Sequence, residues 1–126
     1  MLRHKMESRM LIERRAYTMR PGRMDEFIDA QLERGFGPPI RQILDRLIAY
    51  FRTVSGPTDE VVHLWRFDSF EDWTSRLHSL YGRPELEPYF KTVRSLMVAQ
   101  QNTFLVPAPL PALTPYWGNG QDWLGD

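Results

Sequence analysis

The sequence predicts a single α+β domain with the element order βαββαβ. Three observations support this prediction: the run VVHLWRF has the β-branched and aromatic content of a strand, two stripes of apolar residues recur at helical spacing, and turn-forming Gly and Pro separate the segments. At 126 residues, of which 42% are hydrophobic, the chain has the size and composition of one globular domain.

The first half of the chain is predicted to form a strand, a helix and a second strand. Apolar and β-compatible residues run from Met10 to Thr18 and stop at the turn-forming Pro21-Gly22. An amphipathic helix follows, with two acidic residues in its first turn, where the helix dipole favours negative charge. The helical stripe consists of Met24, Phe27, Ile28, Gln31 and Leu32. A shorter helical period at Ile40, Ile43, Leu44 and Leu47 leads into the second strand, LIAYFRTV.

The second half repeats the pattern as strand, helix, strand. A turn cluster at residues 56–59 is expected to join strand two to strand three, Val61–Phe67, as a hairpin. Ser69 followed by Asp72 is typical of a helix capping box, and the stripe Phe70, Trp73, Leu77 and Leu80 continues that helix. A further stripe of apolar residues at helical spacing predicts another helix. This helix can contain Pro88 only in its first turn. This stripe consists of Leu86, Tyr89, Phe90, Val93 and Met97, and strand four follows as VAQQNTFLV.

This order is that of the ferredoxin-like split βαβ fold, in which helices cover one sheet face and leave the other open. Alternation along strand three places Val62 and Leu64 on one side and Val61, His63, Trp65 and Phe67 on the other. Both sides are largely apolar. A second sheet would cover such a surface, so we expect a homodimer formed through the open sheet face.

Three regions are expected along the chain. Residues 1–9 are a flexible polar extension, residues 10–109 form the α+β domain, and residues 110–126 form a tail rich in Pro and aromatic residues.

Composition argues against several functional classes. Sixteen basic and sixteen acidic residues give no net charge to attract nucleic acid, and neither a membrane span nor a signal peptide is evident, so a cytoplasmic location is expected. The chain has no cysteine. Its three histidines, His4, His63 and His78, lack metal-ligand spacing, and no phosphate-binding glycine loop occurs, so we expect neither a metal nor a cofactor.

A candidate pocket follows from strand alternation. Glu13, Arg15 and Tyr17 share one side of strand one, and we expect them on the open face beside His63 and Trp65. Strand four is expected to contribute part of Gln100, Gln101 and Asn102, and the other candidate ligand contacts are Tyr50, Phe67, Gln101 and Asn102.

Each candidate has a structural alternative. His63 is the first choice for an acid, base or ligand contact, and alternatively it is a hydrogen-bonded interior histidine that fixes dimer packing. Arg15 is suited to bind a carboxylate, with Tyr17 or Tyr50 donating a hydrogen bond, or else it pairs with Glu13 or with a second subunit. Trp65 and Phe67 either stack on an aromatic ligand or belong to the core or interface.

Three segments also carry a family resemblance: RAYTMRPGRMDEFI, YFRTVSGPTDEVVHLWRFDSFEDW and VAQQNTFLVPAP. They resemble blocks of the NIPSNAP family in the same order and spacing, over roughly residues 10–109, and HLWRFDS is the most specific element. The resemblance implies a dimeric α+β barrel in which two open sheets pack together. It implies no established chemistry.

Two functions are consistent with this reading. The first is a module that binds a small molecule or a protein partner, as the interaction proteins among the animal members of the family imply. The alternative is a cofactor-independent oxygenase, cyclase or decarboxylase acting on a small aromatic or polyketide-like metabolite, as related dimeric α+β barrels imply, with His63, Arg15 and Tyr17 as its catalytic residues.

Overall fold

The computed structural model describes residues 11–35 and 44–106. The elements are β1 (Leu11–Met19), α1 (Met24–Ala30), a π-helical turn (Gln31–Gly35), β2 (Leu47–Arg52), β3 (Glu60–Phe67), α2 (Phe70–Tyr81), a 3₁₀ turn (Pro84–Leu86), α3 (Glu87–Leu96) and β4 (Met97–Leu105). The order βαββαβ is therefore confirmed. The predicted extension, most of the helical period before β2 and the C-terminal tail lie outside the described residues.

The four strands form one antiparallel sheet in the order β2-β3-β1-β4. The central strands β1 and β3 are distant in sequence, and their pairing sets Arg15 opposite His63 and Glu13 opposite Trp65. Each βαβ half contributes one central and one edge strand. This is the ferredoxin-like arrangement that the element order predicts.

Local sequence accounts for the turns between these elements. Gly22 after β1 and Gly56 in the β2–β3 connection adopt φ values of +78° and +90°, which side chains with a Cβ rarely adopt. The hairpin closes when the Thr53 backbone N–H donates to the Glu60 carbonyl at 3.0 Å. β2 ends at Arg52, two residues earlier than predicted.

Both longer helices begin as their sequences predict. The Ser69 Oγ accepts a hydrogen bond from the Asp72 backbone N–H at 3.0 Å, which caps the first turn of α2. Pro88 lies in the first turn of α3, where no intrahelical donor is lost.

The main hydrophobic core lies between the helices and one face of the sheet. Phe27 of α1 and Val61 and Phe67 of β3 are almost fully buried in it, and Tyr17 of β1 meets Phe27 edge to face at 6.3 Å between ring centroids. Leu77 and Leu80 of α2 are buried, as predicted for their stripe. Burial of this one face is the main source of stability.

The prediction that Glu13, Arg15 and Tyr17 lie on the open sheet face is wrong. Glu13 contacts Trp73 of α2, Arg15 contacts Tyr81 at the end of α2, and Tyr17 packs on α1. These residues and their partners on β3 therefore face the helices. Alternation predicted which residues share a face, but only helix placement decides which face is covered.

No helix among the described ranges is long and apolar enough to cross a lipid bilayer.

Replacing Ser69 with Ala should lower the free energy of unfolding by about 1 kcal/mol, because the Asp72 backbone N–H loses its acceptor. Urea denaturation measures this change. Ser75→Ala, at an exposed position within α2, is the matched control and should change the stability by less than about 0.5 kcal/mol. Equal effects of the two substitutions would contradict the capping role.

Candidate functional site

A cavity of about 360 Å³ lies between the sheet and the helices of a single protomer. Its lining is dominated by aromatic rings and contains few charged groups. The lining residues are Arg15, Tyr17, Gln31, Leu44, Tyr50, His63, Trp65, Leu80, Tyr81, Tyr89, Phe90, Val93, Arg94, Met97 and Gln100. Tyr81, Arg94 and Gln100 are exposed, so they mark the mouth, whereas His63 is only 3% exposed and lies deep in the cavity.

The imidazole of His63 is held from three directions. Trp65, two residues along β3 on the same face, donates its indole N–H to His63 Nδ1 at 2.6 Å. Tyr50 of β2 stacks on the imidazole with ring centroids 4.3 Å apart and 15° between the planes, and Tyr17 of β1 meets it edge-on at 4.8 Å. Three neighbouring strands therefore fix the direction in which this ring points.

The hydrogen bond from Trp65 decides the tautomer of His63. Because Nδ1 accepts, the proton of the neutral ring resides on Nε2. Burial, and secondarily the charge of Arg15, lower the pKa of His63 to about 3, so the ring is neutral near pH 7. The Nε2–H donor is buried and has no hydrogen-bond partner among the described residues. An unpaired buried donor of this kind costs about 1–3 kcal/mol.

Arg15 and Glu13 form a buried network beside the histidine. Glu13 is 1% exposed and accepts hydrogen bonds from Trp73 Nε1 at 3.2 Å and from Asn102 Nδ2 at 2.7 Å. Arg15 Nε lies 3.6 Å from Glu13 Oε2, within ion-pair range but beyond hydrogen-bond distance. The predicted alternative of an Arg15–Glu13 pair is thus present within the protomer. Arg15 Nη2 also donates to the Tyr81 hydroxyl at 3.4 Å.

Four tyrosines of the described ranges line the cavity, and burial raises the pKa of three of them. Burial is the main cause that raises the pKa values of Tyr17 and Tyr50 well above the usual range and that of Tyr89 to about 12. The Tyr89 hydroxyl donates to Gln31 Oε1 at 2.9 Å and so links α3 to the end of α1.

The structure brings together five of the nine predicted site residues on the cavity wall: Arg15, Tyr17, Tyr50, His63 and Trp65. Glu13 and Asn102 lie behind this wall and contact each other. Phe67 is 1% exposed in the core and does not line the cavity. Gln101 pairs with Ala16 and points to the sheet face opposite the helices, so its neighbour Gln100 lines the cavity instead.

Sequence reasoning missed the part of the lining that comes from helices. Tyr89 and Phe90 belong to the apolar stripe that predicts this helix and carry no site prediction, and Arg94 lies one turn further along α3. Gln31 carried a usable signal, because it is a polar residue within the apolar stripe of α1.

No group of three or more acidic or histidine side chains in the described ranges could hold a metal ion.

The chain matches the NIPSNAP family model over residues 12–111. The chain belongs to the NIPSNAP family. No protein of curated function matches its sequence significantly.

Solved NIPSNAP structures share the same fold. A NIPSNAP-like domain protein from Burkholderia xenovorans is 36% identical, with a TM-score of 0.74 over 82% of this chain and 89% of its own. A NIPSNAP family protein from Agrobacterium tumefaciens is 29% identical, with a TM-score of 0.75 over 81% of this chain and 89% of its own. Both relatives are matched over nearly their full length, so the NIPSNAP fold accounts for most of this chain.

More distant structures show the fold alone. A putative antibiotic biosynthesis monooxygenase from Nitrosomonas europaea is 10% identical to this NIPSNAP chain, with a TM-score of 0.58 over 81% of this chain and 93% of its own. At that identity no chemistry is transferable, because one fold hosts many functions.

The low pKa of His63 predicts a specific loss of stability in acid. The folded protein resists protonation until about pH 3, whereas an unfolded histidine binds a proton near pH 6.5. The stability is therefore fully present above pH 6.5 and falls as the pH decreases below that value. From pH 7 to pH 5 this one group should lower the free energy of unfolding by about 2 kcal/mol.

Urea denaturation of the wild type and of His63→Asn at both pH values measures this contribution. Asn retains an acceptor for Trp65 but does not titrate, so the variant should lose about 2 kcal/mol less than the wild type between pH 7 and pH 5. Other titrating groups are common to both proteins and cancel. Parallel losses would show that His63 is not buried in its neutral form.

Proposed function

We propose that this NIPSNAP protein binds a small organic molecule with a planar, largely apolar body in the cavity between its sheet and helices. The observation that supports this most directly is the Nε2–H of His63, which is buried, fixed in direction and without a hydrogen-bond partner among the described residues. Buried polar groups in folded proteins normally have partners, and an unpaired one needs an explanation. A ligand acceptor in the cavity would supply the missing partner.

The size and lining of the cavity support the same proposal. A volume of about 360 Å³ lies at the lower end of the range for small-molecule sites, which are mainly apolar with a few polar groups that orient the ligand. Here Trp65, Tyr17 and Phe90 supply aromatic surface, and His63 and Arg15 supply donors. The ligand would make its specific contacts at the deep end and its apolar contacts along the walls.

A second candidate is a cofactor-independent enzyme working in the same cavity. Arg15 and His63 are directly paired across β1 and β3, so two donors stand together where a developing oxyanion would be stabilised. His63 is unsuited to the role of general base near neutral pH, because Nδ1 is occupied and the pKa is about 3. In this alternative His63 acts as an oxyanion donor rather than as a base.

We also propose that the uncovered sheet face packs on a second copy of this chain. That face carries Leu64 and Val62 of β3, together with Phe51 and Leu105 on the edge strands, both of which are more than 40% exposed. An exposed apolar sheet face of this kind usually marks an interaction site. Arg14 lies on the same face opposite Leu64, so the interface would be mixed rather than wholly apolar.

Binding is tested by titrating ¹⁵N-labelled protein with mono- and bicyclic aromatic compounds and following the amide signals of cavity residues. We expect at least one compound to bind and to shift these signals without being chemically altered. Trp65→Phe removes the donor that holds the His63 tautomer, so it should weaken binding about fivefold to tenfold, equivalent to about 1 kcal/mol.

Trp73→Phe is the matched control, because it also removes an indole N–H, but one that contacts Glu13 outside the cavity lining. Its binding should change less than twofold. A titration in which no compound shifts the cavity signals would contradict the binding proposal. Conversion of a bound compound into a product would support the enzyme instead.

Native mass spectrometry tests the dimer. The wild type should give twice the 14.9 kDa chain mass, and Leu64→Lys should shift the population to monomer, because a charge would be buried at the interface. Val54→Lys, at a 90% exposed position in the β2–β3 connection, should remain dimeric. A wild-type mass of one chain would contradict the proposal.

A further inference from the structure

The charged groups that line the cavity have one sign. Among the described residues Arg15 and Arg94 are its only charged lining residues, since His63 is neutral. Arg94 is exposed and pairs with Glu87 at 3.1 Å outside the lining, so its charge at the mouth is largely offset. Arg15 lies deeper, with its side chain 14% exposed, and its nearest carboxylate is behind the wall at 3.6 Å. Among the described residues no carboxylate lines the cavity, and Glu13 behind the wall partly offsets the charge of Arg15.

Two buried donors at this deep end lack acceptors. His63 Nε2 and Arg15 Nε are both buried and have no hydrogen-bond partner within the described ranges. They belong to residues directly paired on the central strands, whose Cβ atoms lie about 5 Å apart in antiparallel sheets. Tyr17 packs against both, with the Arg15 guanidinium 5.5 Å from its ring centroid and the His63 imidazole at 4.8 Å. One cation, within ion-pair distance of Glu13, and one neutral N–H thus lie side by side, and among the described residues neither nitrogen has a hydrogen-bond acceptor.

We infer that the ligand of this cavity is an aromatic carboxylate, with its carboxylate oxygens between Arg15 and His63. This inference rests on the proposed binding function. A carboxylate offers two oxygens on one planar group, so it can satisfy both donors at once, and a charged acceptor strengthens each hydrogen bond. A phosphate is less suited, because its higher charge would face only one cation at the deep end.

The neutrality of His63 has a consequence for this assignment. A protonated imidazole would add a second charge and make binding depend on its titration near pH 6.5. Here the ring stays a neutral donor over that range, because Trp65 occupies Nδ1 and the ring is buried. The affinity for a carboxylate should therefore change less than twofold between pH 8 and pH 6.

Matched probes test the ligand class on the full chain. Naphthalene-2-carboxylate and naphthalene-2-carboxamide share one aromatic body and differ in the charge of the polar group. We expect the wild type to bind the carboxylate at least tenfold more tightly at pH 7. Arg15→Met should remove this preference and leave carboxamide binding within about threefold. Arg52→Met removes an exposed arginine outside the cavity lining, so it should keep the preference.

Loss of Arg15 leaves Glu13 buried without its cation, so Arg15→Met alone is at risk of unfolding. The double variant Glu13→Gln/Arg15→Met removes both charges and replaces the single variant if the latter does not fold. Equal affinities of the wild type for the two probes, or a preference that survives in the folded Arg15 variant, would overturn the carboxylate assignment but leave binding intact. If neither probe shifted the cavity signals, the proposed binding function would fail and the ligand class would fail with it.

Discussion

The period of two along β1 and β3 is the constraint on which the rest of the structure depends. Because the strands pair without a shift over Leu11–Thr18 and Glu60–Phe67, every second residue of each strand points to the same face. Glu13, Arg15 and Tyr17 of one strand therefore meet His63 and Trp65 of the other in a single layer. A slip of one residue would move this whole polar set to the uncovered face.

The position of the helices makes this layer of residues one wall of the cavity. The helices cover the face that carries the polar and aromatic residues, so Arg15 and His63 become buried, while Tyr81 and Tyr89 close the cavity from the other side. Desolvation then fixes the state of the imidazole, since burial lowers the pKa of His63 and keeps the ring neutral. The same residues on an open face would have ordinary protonation behaviour and weaker electrostatic interactions.

The polar groups of this layer differ in how well they are paired. Glu13 has hydrogen bonds to both carboxylate oxygens and an arginine within ion-pair distance, so its burial has a structural explanation. Within the part of the chain that the structure describes, His63 has a hydrogen-bond partner for Nδ1 and none for Nε2. This asymmetry distinguishes Glu13, whose carboxylate oxygens are paired within the fold, from His63, whose Nε2–H has no partner among the described residues. Membership of the NIPSNAP family does not by itself predict this difference between Glu13 and His63, because a shared fold does not specify the chemistry of its cavity.

Local pattern in the sequence was sufficient to predict the element order, the cap of α2 at Ser69, the position of Pro88 and the residues that share each face of β3. These features depend on spacings of a few residues, which periodicity and capping chemistry report directly. Tertiary structure alone decided which sheet face the helices cover, that Gln100 rather than Gln101 lines the cavity, and that Trp65 holds the tautomer of His63. Those outcomes depend on packing between elements distant in the sequence and on the desolvation that this packing produces. Neither this packing nor this desolvation produces a periodic pattern in the sequence of a single chain.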